Sequence, residues 1–147
     1  MSEQQFSAQT TESEQLARGN RLNQLLGGLV AFEAVVIWAA AVWLVIELGT
    51  ASPESFRTAI ALTVLTALIA LWVSASAVAL FRRARWARGS AVTWQVLQAA
   101  VAVGAIQGDA PNWLVAVALL IPALAVVLLA ISPAVRAVYG LDELSTD

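Results

Sequence analysis

Glu33 is the residue of this 147-residue chain whose position most needs a chemical reason. It is the one acid well inside an apolar run, Leu25–Leu48. At about 1.5 Å per residue it lies roughly 12 Å beyond Leu25, too deep in a hydrocarbon layer for its short side chain to reach water. A carboxyl there either takes up a proton or is held by donors from neighbouring helices. The other apolar runs offer polar groups at similar depth. Ser74 and Ser76 lie near the end of the second, and Gln95 and Gln98 near the start of the third. In the fourth, Pro122 deprives the Ala118 carbonyl of its helical donor and predicts a kink. A polar layer centred on Glu33 follows, with Glu33, Gln95, Gln98 and Ser74 as the candidate proton or ligand site. Two readings stay open. The layer is a proton, cation or ligand site, or it is interhelical hydrogen bonding that fixes one packing. The amides and the serines fit the second reading at least as well, since serines commonly bond back to a preceding carbonyl.

The missing residue types narrow the chemistry. There is no Cys, no His and no Lys, and the single Met is Met1. That removes thiolates, disulfides and Schiff bases, the usual general base and the commonest metal ligands. No nucleotide loop or metal-binding spacing is present, so neither a cofactor nor a metal is expected, and an enzyme is not. A net charge of −2 gives no reason to expect nucleic acid as a partner.

The elements that must position Glu33 are four apolar runs: Leu25–Leu48, Thr58–Phe81, Ala91–Ile106 and Trp113–Ile131. Hydrophobic residues make up 60% of the chain and charged ones 12%, about half the usual share for a soluble domain. Most of these runs approach or exceed the roughly 20 residues that cross a bilayer core. The fold class expected is all-α: a four-transmembrane-helix antiparallel bundle with helices at about 25–48, 56–81, 90–107 and 113–131. The third run is the shortest and carries both glutamines, so a re-entrant segment is its alternative. Short loops make consecutive helices antiparallel neighbours. Ser52, Pro53 and Glu54 form a helix start signal before the second run, and Asp109 or Asn112 suits the cap of the fourth.

Residues 1–20 are polar and predict a disordered tail before a transmembrane domain at 21–131. They lack the layout of a secretory signal, and the first run is expected to be a retained anchor. Beyond it, residues 132–147 form a second tail, in which Ser132-Pro133 begins a short interfacial helix or the chain simply frays. Seven of the eight arginines fall on one side of the four spans: Arg18, Arg21, Arg82, Arg83, Arg85, Arg88 and Arg136. The positive-inside rule puts that side, and both termini, in the cytoplasm, at a plasma membrane. Phe56 and Trp113 then mark the outer boundary, and Trp86, Trp94 and Tyr139 the inner one. Arg82, Arg83, Arg85 and Arg88 set topology and are candidates for contact with lipid head groups.

Small residues recur as stripes: Gly27, Ala31 and Ala34; Ala67, Ala70, Ser74 and Ala77; Ala99, Ala102 and Ala105. They allow close helix contact. Trp38, Trp43 and Trp72 lie within the runs, as pocket walls or as packing and lipid-facing aromatics.

Two resemblances go with these residues. Leu26-Gly27-Gly28 followed by Glu33 resembles the first helix of the small multidrug resistance transporters. That likeness implies a proton-exchanging role for Glu33 and for no other residue. The chain departs from that family in its length, its strongly basic second loop and its lack of the family's third-helix glycine motif. As a whole, with its Arg83-to-Gly89 loop and Ala/Val-rich last helices, it is similar to the small four-helix integral membrane proteins of actinobacteria. That group carries no known activity to transfer. The function expected is therefore that of a non-enzymatic membrane protein, an accessory subunit or a small-ligand binder. The alternative is a proton-coupled small-molecule transporter using Glu33. Membrane lipid, further copies of the chain or a larger membrane complex are the partners expected.

Overall fold

A computed structural model describes residues 3–50, 56–107 and 111–139. They form α1 (Glu3–Thr50), α2 (Phe56–Phe81), α3 (Arg85–Gln107), α4 (Trp113–Ile131) and α5 (Pro133–Val138), with no strand among the described residues. The first four are long and apolar enough to cross a membrane. In hydrocarbon every backbone group needs a partner within its own segment, so even Val- and Ile-rich stretches take the helix. The helix α3 that contains the third run is 23 residues long, and its most apolar window has a mean hydropathy of 1.3 against 3.1 in α4. Large apolar side chains face outward on every one of these helices. Val35 is 66% exposed, Trp43 63%, Ile121 66% and Leu114 81%. An exposed apolar surface on this scale belongs to a lipid-facing protein.

Two boundaries differ from the sequence expectation. α1 begins at Glu3, where a disordered tail is predicted to Asn20. Residues 3–17 are rich in Glu, Gln and Ala and contain neither Gly nor Pro. Extending an existing helix through such residues avoids a new nucleation step. α3 begins at Arg85, five residues before the expected start, because Ala87 and Arg88 are drawn into contacts with neighbouring helices. The start signal at Ser52-Pro53-Glu54, Asp109 and the acidic end at Asp142, Glu143 and Asp147 lie outside the described residues. Asn112 does cap α4, its side chain accepting from the Val115 amide at 3.1 Å. Pro133 opens α5, and the Ser132 hydroxyl accepts from Val135 N–H at 3.4 Å.

α1 packs most extensively on α2, and α3 on α4; α5 lies against α1 and α4. Asn23 meets Leu80 and Trp38 meets Ser74 across α1 and α2; Arg88 meets Ala130 and Gln98 meets Leu119 across α3 and α4. Leu26, Val30, Val73, Leu80, Val126 and Val135 are the fully enclosed aliphatic residues of the centre. In lipid such residues hold helices together through close packing rather than release of water. Of the predicted small-residue stripes, Gly27, Ala34, Ala70, Ala77 and Ala102 are buried. α4 carries another stripe at seven-residue spacing, Ala116, Ala123 and Ala130, also buried. At Gly19 the close approach is to backbone: a methyl group there would overlap the Ala134 carbonyl oxygen of α5.

The turn from α2 to α3 is a Schellman motif. Ala84 N–H donates to the Ala79 carbonyl at 2.9 Å and Arg83 N–H to Leu80 at 3.0 Å. Its left-handed position, usually glycine, is Arg83, with φ of 54°.

Candidate functional site

Glu33 is 6% exposed and faces α3. Two donors from consecutive residues of α3 converge on one of its oxygens: Trp94 Nε1 and Gln95 Nε2 each lie 3.0 Å from Oε2. Gln98, one turn further, is beside the same carboxyl and donates its Nε2 to the Leu119 carbonyl of α4 at 3.0 Å. Pro122 places a residue without N–H three positions after Leu119, and the sequence pointed to the Ala118 carbonyl as the freed acceptor. The bond actually made is to the next carbonyl along. Gln98 donates to a backbone carbonyl, which cannot donate in return, and that fixes which end of its amide is nitrogen.

The remaining oxygens are the unusual feature. Glu33 Oε1, Gln95 Oε1 and Gln98 Oε1 are all buried and accept from no donor among the described residues. A buried polar atom without a partner costs about 1–3 kcal/mol. Three such acceptors in one layer make a site short of hydrogen-bond donors: Trp94 has used its single N–H, and no N–H of Gln95 or Gln98 reaches any of the three oxygens.

This layer borders a cavity of about 640 Å³ among α1, α3 and α4, with Ile69 of α2 also on its wall. Glu33, Gln98 and Trp94 bring polar groups to its wall, and aliphatic and aromatic side chains supply nearly all the rest. Phe32 and Val36 of α1 and Leu97 and Val101 of α3 line it and are themselves outward-facing. The cavity is thus reached from the lipid-facing side. Its size lies within the range of small-molecule sites.

Ser74 does not belong to this layer. Its hydroxyl donates back to the Ala70 carbonyl at 2.7 Å and accepts from Trp38 Nε1 at 3.2 Å, on the face of α2 toward α1. Ser76 also bonds back, to Trp72, and pairs with Ser90 of α3 at 2.7 Å. Ser90 in turn accepts from Trp72 Nε1 at 3.0 Å, and Trp72 meets Trp94 edge to face at 6.4 Å. Trp38, Trp43 and Trp72 are not among the side chains that line the Glu33 cavity. Trp94 is the site residue that composition hid, because an aromatic near a helix start looks like a boundary residue. Its spacing was the available signal: residues 94 and 98 share a helix face, with Gln95 beside them.

A second polar cluster ties the opposite ends of the chain together. Asn23 Nδ2 donates to the Leu80 carbonyl at 3.1 Å, and Asn23 Oδ1 accepts from the Tyr139 hydroxyl at 2.8 Å. The Arg88 guanidinium stacks 5.5 Å from the Tyr139 ring centre and donates through Nε and Nη2 to the Ala130 carbonyl. Tyr139, predicted at the membrane boundary, is therefore buried. Burial raises its hydroxyl pKa above the usual range, while the positive charges of Arg88 and Arg83 pull the other way. Arg88 parts company with Arg82, Arg83 and Arg85, which are exposed on the α2–α3 turn.

Among the described residues no group of three or more acidic side chains gathers in a way that could hold a metal ion. No protein-family model matches the chain, and no curated protein and no solved structure matches it either.

Proposed function

We propose that this chain is a non-enzymatic protein of the plasma membrane that holds a small amphipathic ligand against Glu33. In this reading α1–α4 cross the bilayer as an antiparallel bundle with both termini in the cytoplasm. The falling residue register between paired helices and the seven arginines on one side support that orientation. The observation that carries the ligand site is the cavity beside buried acceptor oxygens that lack donors. Trp94 and Gln95 hold Glu33 Oε2 and so orient the carboxyl. The ligand's apolar body occupies the aliphatic part of the cavity, entering between the outward-facing residues of α1 and α3. Its polar end donates hydrogen bonds to Glu33 Oε1 and Gln98 Oε1.

Two ten-carbon probes test this in nanodiscs. Decanamide offers N–H donors, and methyl decanoate offers acceptors alone. Binding is followed by the fluorescence that a Trp94→Phe variant loses. The wild type is expected to prefer decanamide by about tenfold, the effect of roughly one hydrogen bond. Glu33→Gln turns part of the wall from acceptor to donor and is expected to abolish that preference. Equal binding of both probes to both proteins would contradict the reading.

Proton-coupled transport is the second reading, favoured by the presence of Glu33 on the cavity wall. Proteoliposomes with an imposed pH gradient separate the two. Gradient-driven uptake of decanamide that Glu33→Gln abolishes supports transport, and probe binding without such uptake supports a binder.

A further inference from the structure

A second concavity, of about 470 Å³, lies along α2, at the end where the helix turns into α3. Its floor is Ala75, Val78 and Ala79, with Ser74 at one end, Arg82 at the other and Trp86 alongside. It is separate from the Glu33 cavity, with which it shares no lining residue. From Ser74 to Arg82 the helix rises about 12 Å. The groove therefore runs from the apolar part of a transmembrane helix to its charged end. Trp86 is 57% exposed, and its amphipathic ring suits the zone between acyl chains and head groups.

Charge singles out the occupant. Arg82, Arg83 and Arg85 fall within four residues of one turn, all exposed. No ion pair to any of them is present among the described residues, whereas Arg88 of the same segment is engaged with Ala130 and Tyr139. The turn also places arginine at its left-handed position, where glycine is least strained. A groove with an apolar floor, an aromatic side and guanidinium groups at one end matches a phospholipid: acyl chain along the floor, phosphate at the arginines.

We propose that this groove is a binding site for one anionic phospholipid, with Arg82 holding the phosphate, Trp86 flanking the glycerol region and an acyl chain along Ala75 and Val78. A zwitterionic lipid carries the same phosphate but adds a cation, which the neighbouring Arg83 and Arg85 repel. The site thus selects net negative head groups, through charge-assisted and bidentate contacts that guanidinium makes well. Each arginine near an anionic lipid is worth about fivefold in binding.

Native mass spectrometry of the detergent-solubilised full chain tests the assignment, with phosphatidylglycerol and phosphatidylcholine of identical chains. The wild type is expected to retain the first at least tenfold better. Arg82→Ala should lower phosphatidylglycerol retention about fivefold, and Arg57→Ala, at the far end of α2, should leave it unchanged. Trp86→Ala should weaken both lipids. Glycerol 1-phosphate, the head group without chains, should not compete even at millimolar concentration. Unchanged melting temperatures in detergent show that each variant is folded, as expected for exposed positions. Equal retention of the two lipids, equal effects of Arg82→Ala and Arg57→Ala, or displacement by glycerol 1-phosphate would overturn the proposal.

Discussion

Two polar clusters cross this bundle, and they are completed to different degrees. Around Tyr139 the hydroxyl reaches Asn23, Asn23 reaches the Leu80 carbonyl, and Arg88 reaches the Ala130 carbonyl while covering the ring. That network joins the first four helices to the residue that follows α5 and leaves none of its buried side-chain polar atoms without a partner among the described residues. Around Glu33 three buried oxygens go without donors, and a cavity lies against two of the residues that carry them. A polar network that only holds helices together gains from being complete, since each unmet group costs stability. In the proposed function, the incomplete network beside the cavity meets the donors of an arriving ligand.

Substitutions sharpen that contrast. The largest effect is expected from Asn23→Ala, which strands the Tyr139 hydroxyl and takes from the Leu80 carbonyl one of its two donors, leaving only the Arg83 N–H. At about 1–3 kcal/mol for the stranded hydroxyl and about 1 kcal/mol for the lost bond to the carbonyl, its unfolding temperature in detergent should fall furthest. Gly19→Ala comes next, because the new methyl group meets the Ala134 carbonyl, which belongs to a helix backbone rather than to a flexible side chain. Overpacking of this kind costs about 1–3 kcal/mol, and limited proteolysis should show α5 released first. Tyr139→Phe keeps the ring under Arg88 and strands Asn23 Oδ1 alone, so about half the loss of Asn23→Ala is expected in the same melting experiment. Glu33→Gln should change stability least, by no more than about 0.5 kcal/mol, because the new amide offers an oxygen to Trp94 and Gln95 and a donor toward Gln98. A large loss of stability in Glu33→Gln would erase the distinction between the clusters.

The Tyr139 cluster also predicts a response to alkali. Burial raises the folded-state pKa above the unfolded value of 10.0. Between those two values the folded chain binds more protons than the unfolded chain, so stability falls as pH rises. The contribution is complete below pH 10 and is lost as pH climbs through the folded pKa. Melting temperatures of the wild type should therefore drop above pH 10, and those of Tyr139→Phe should drop less.

Much of this architecture is legible in the sequence because lipid imposes simple rules. Four apolar runs give four long helices, and Glu33 stands out as an acid within one of them. Gln95 and Gln98 follow from depth along neighbouring helices. Ser74 fails for the same reason: depth along a helix says nothing about which side of the helix a residue occupies. Ser74 turns toward Trp38, away from the carboxyl. Trp94 and Tyr139 mislead in the opposite sense, since aromatics near helix ends serve lipid interfaces and buried networks alike. The early start of α1 at Glu3 is hidden because a polar composition reports the lack of a core rather than the lack of a helix. The long-range bond from Tyr139 to Asn23 spans 116 positions and leaves no local pattern to find.

Comparing Asn23→Ala with Glu33→Gln in one assay, melting temperature together with decanamide binding in nanodiscs, tests the division between the two clusters most directly. A protein that melts early yet binds when Asn23 is lost, and melts normally yet loses its preference for the donor probe when Glu33 is lost, is the predicted pair. Early melting with unaltered probe binding in the Glu33 variant would mean that the carboxyl is an internal brace and that the cavity beside it receives nothing.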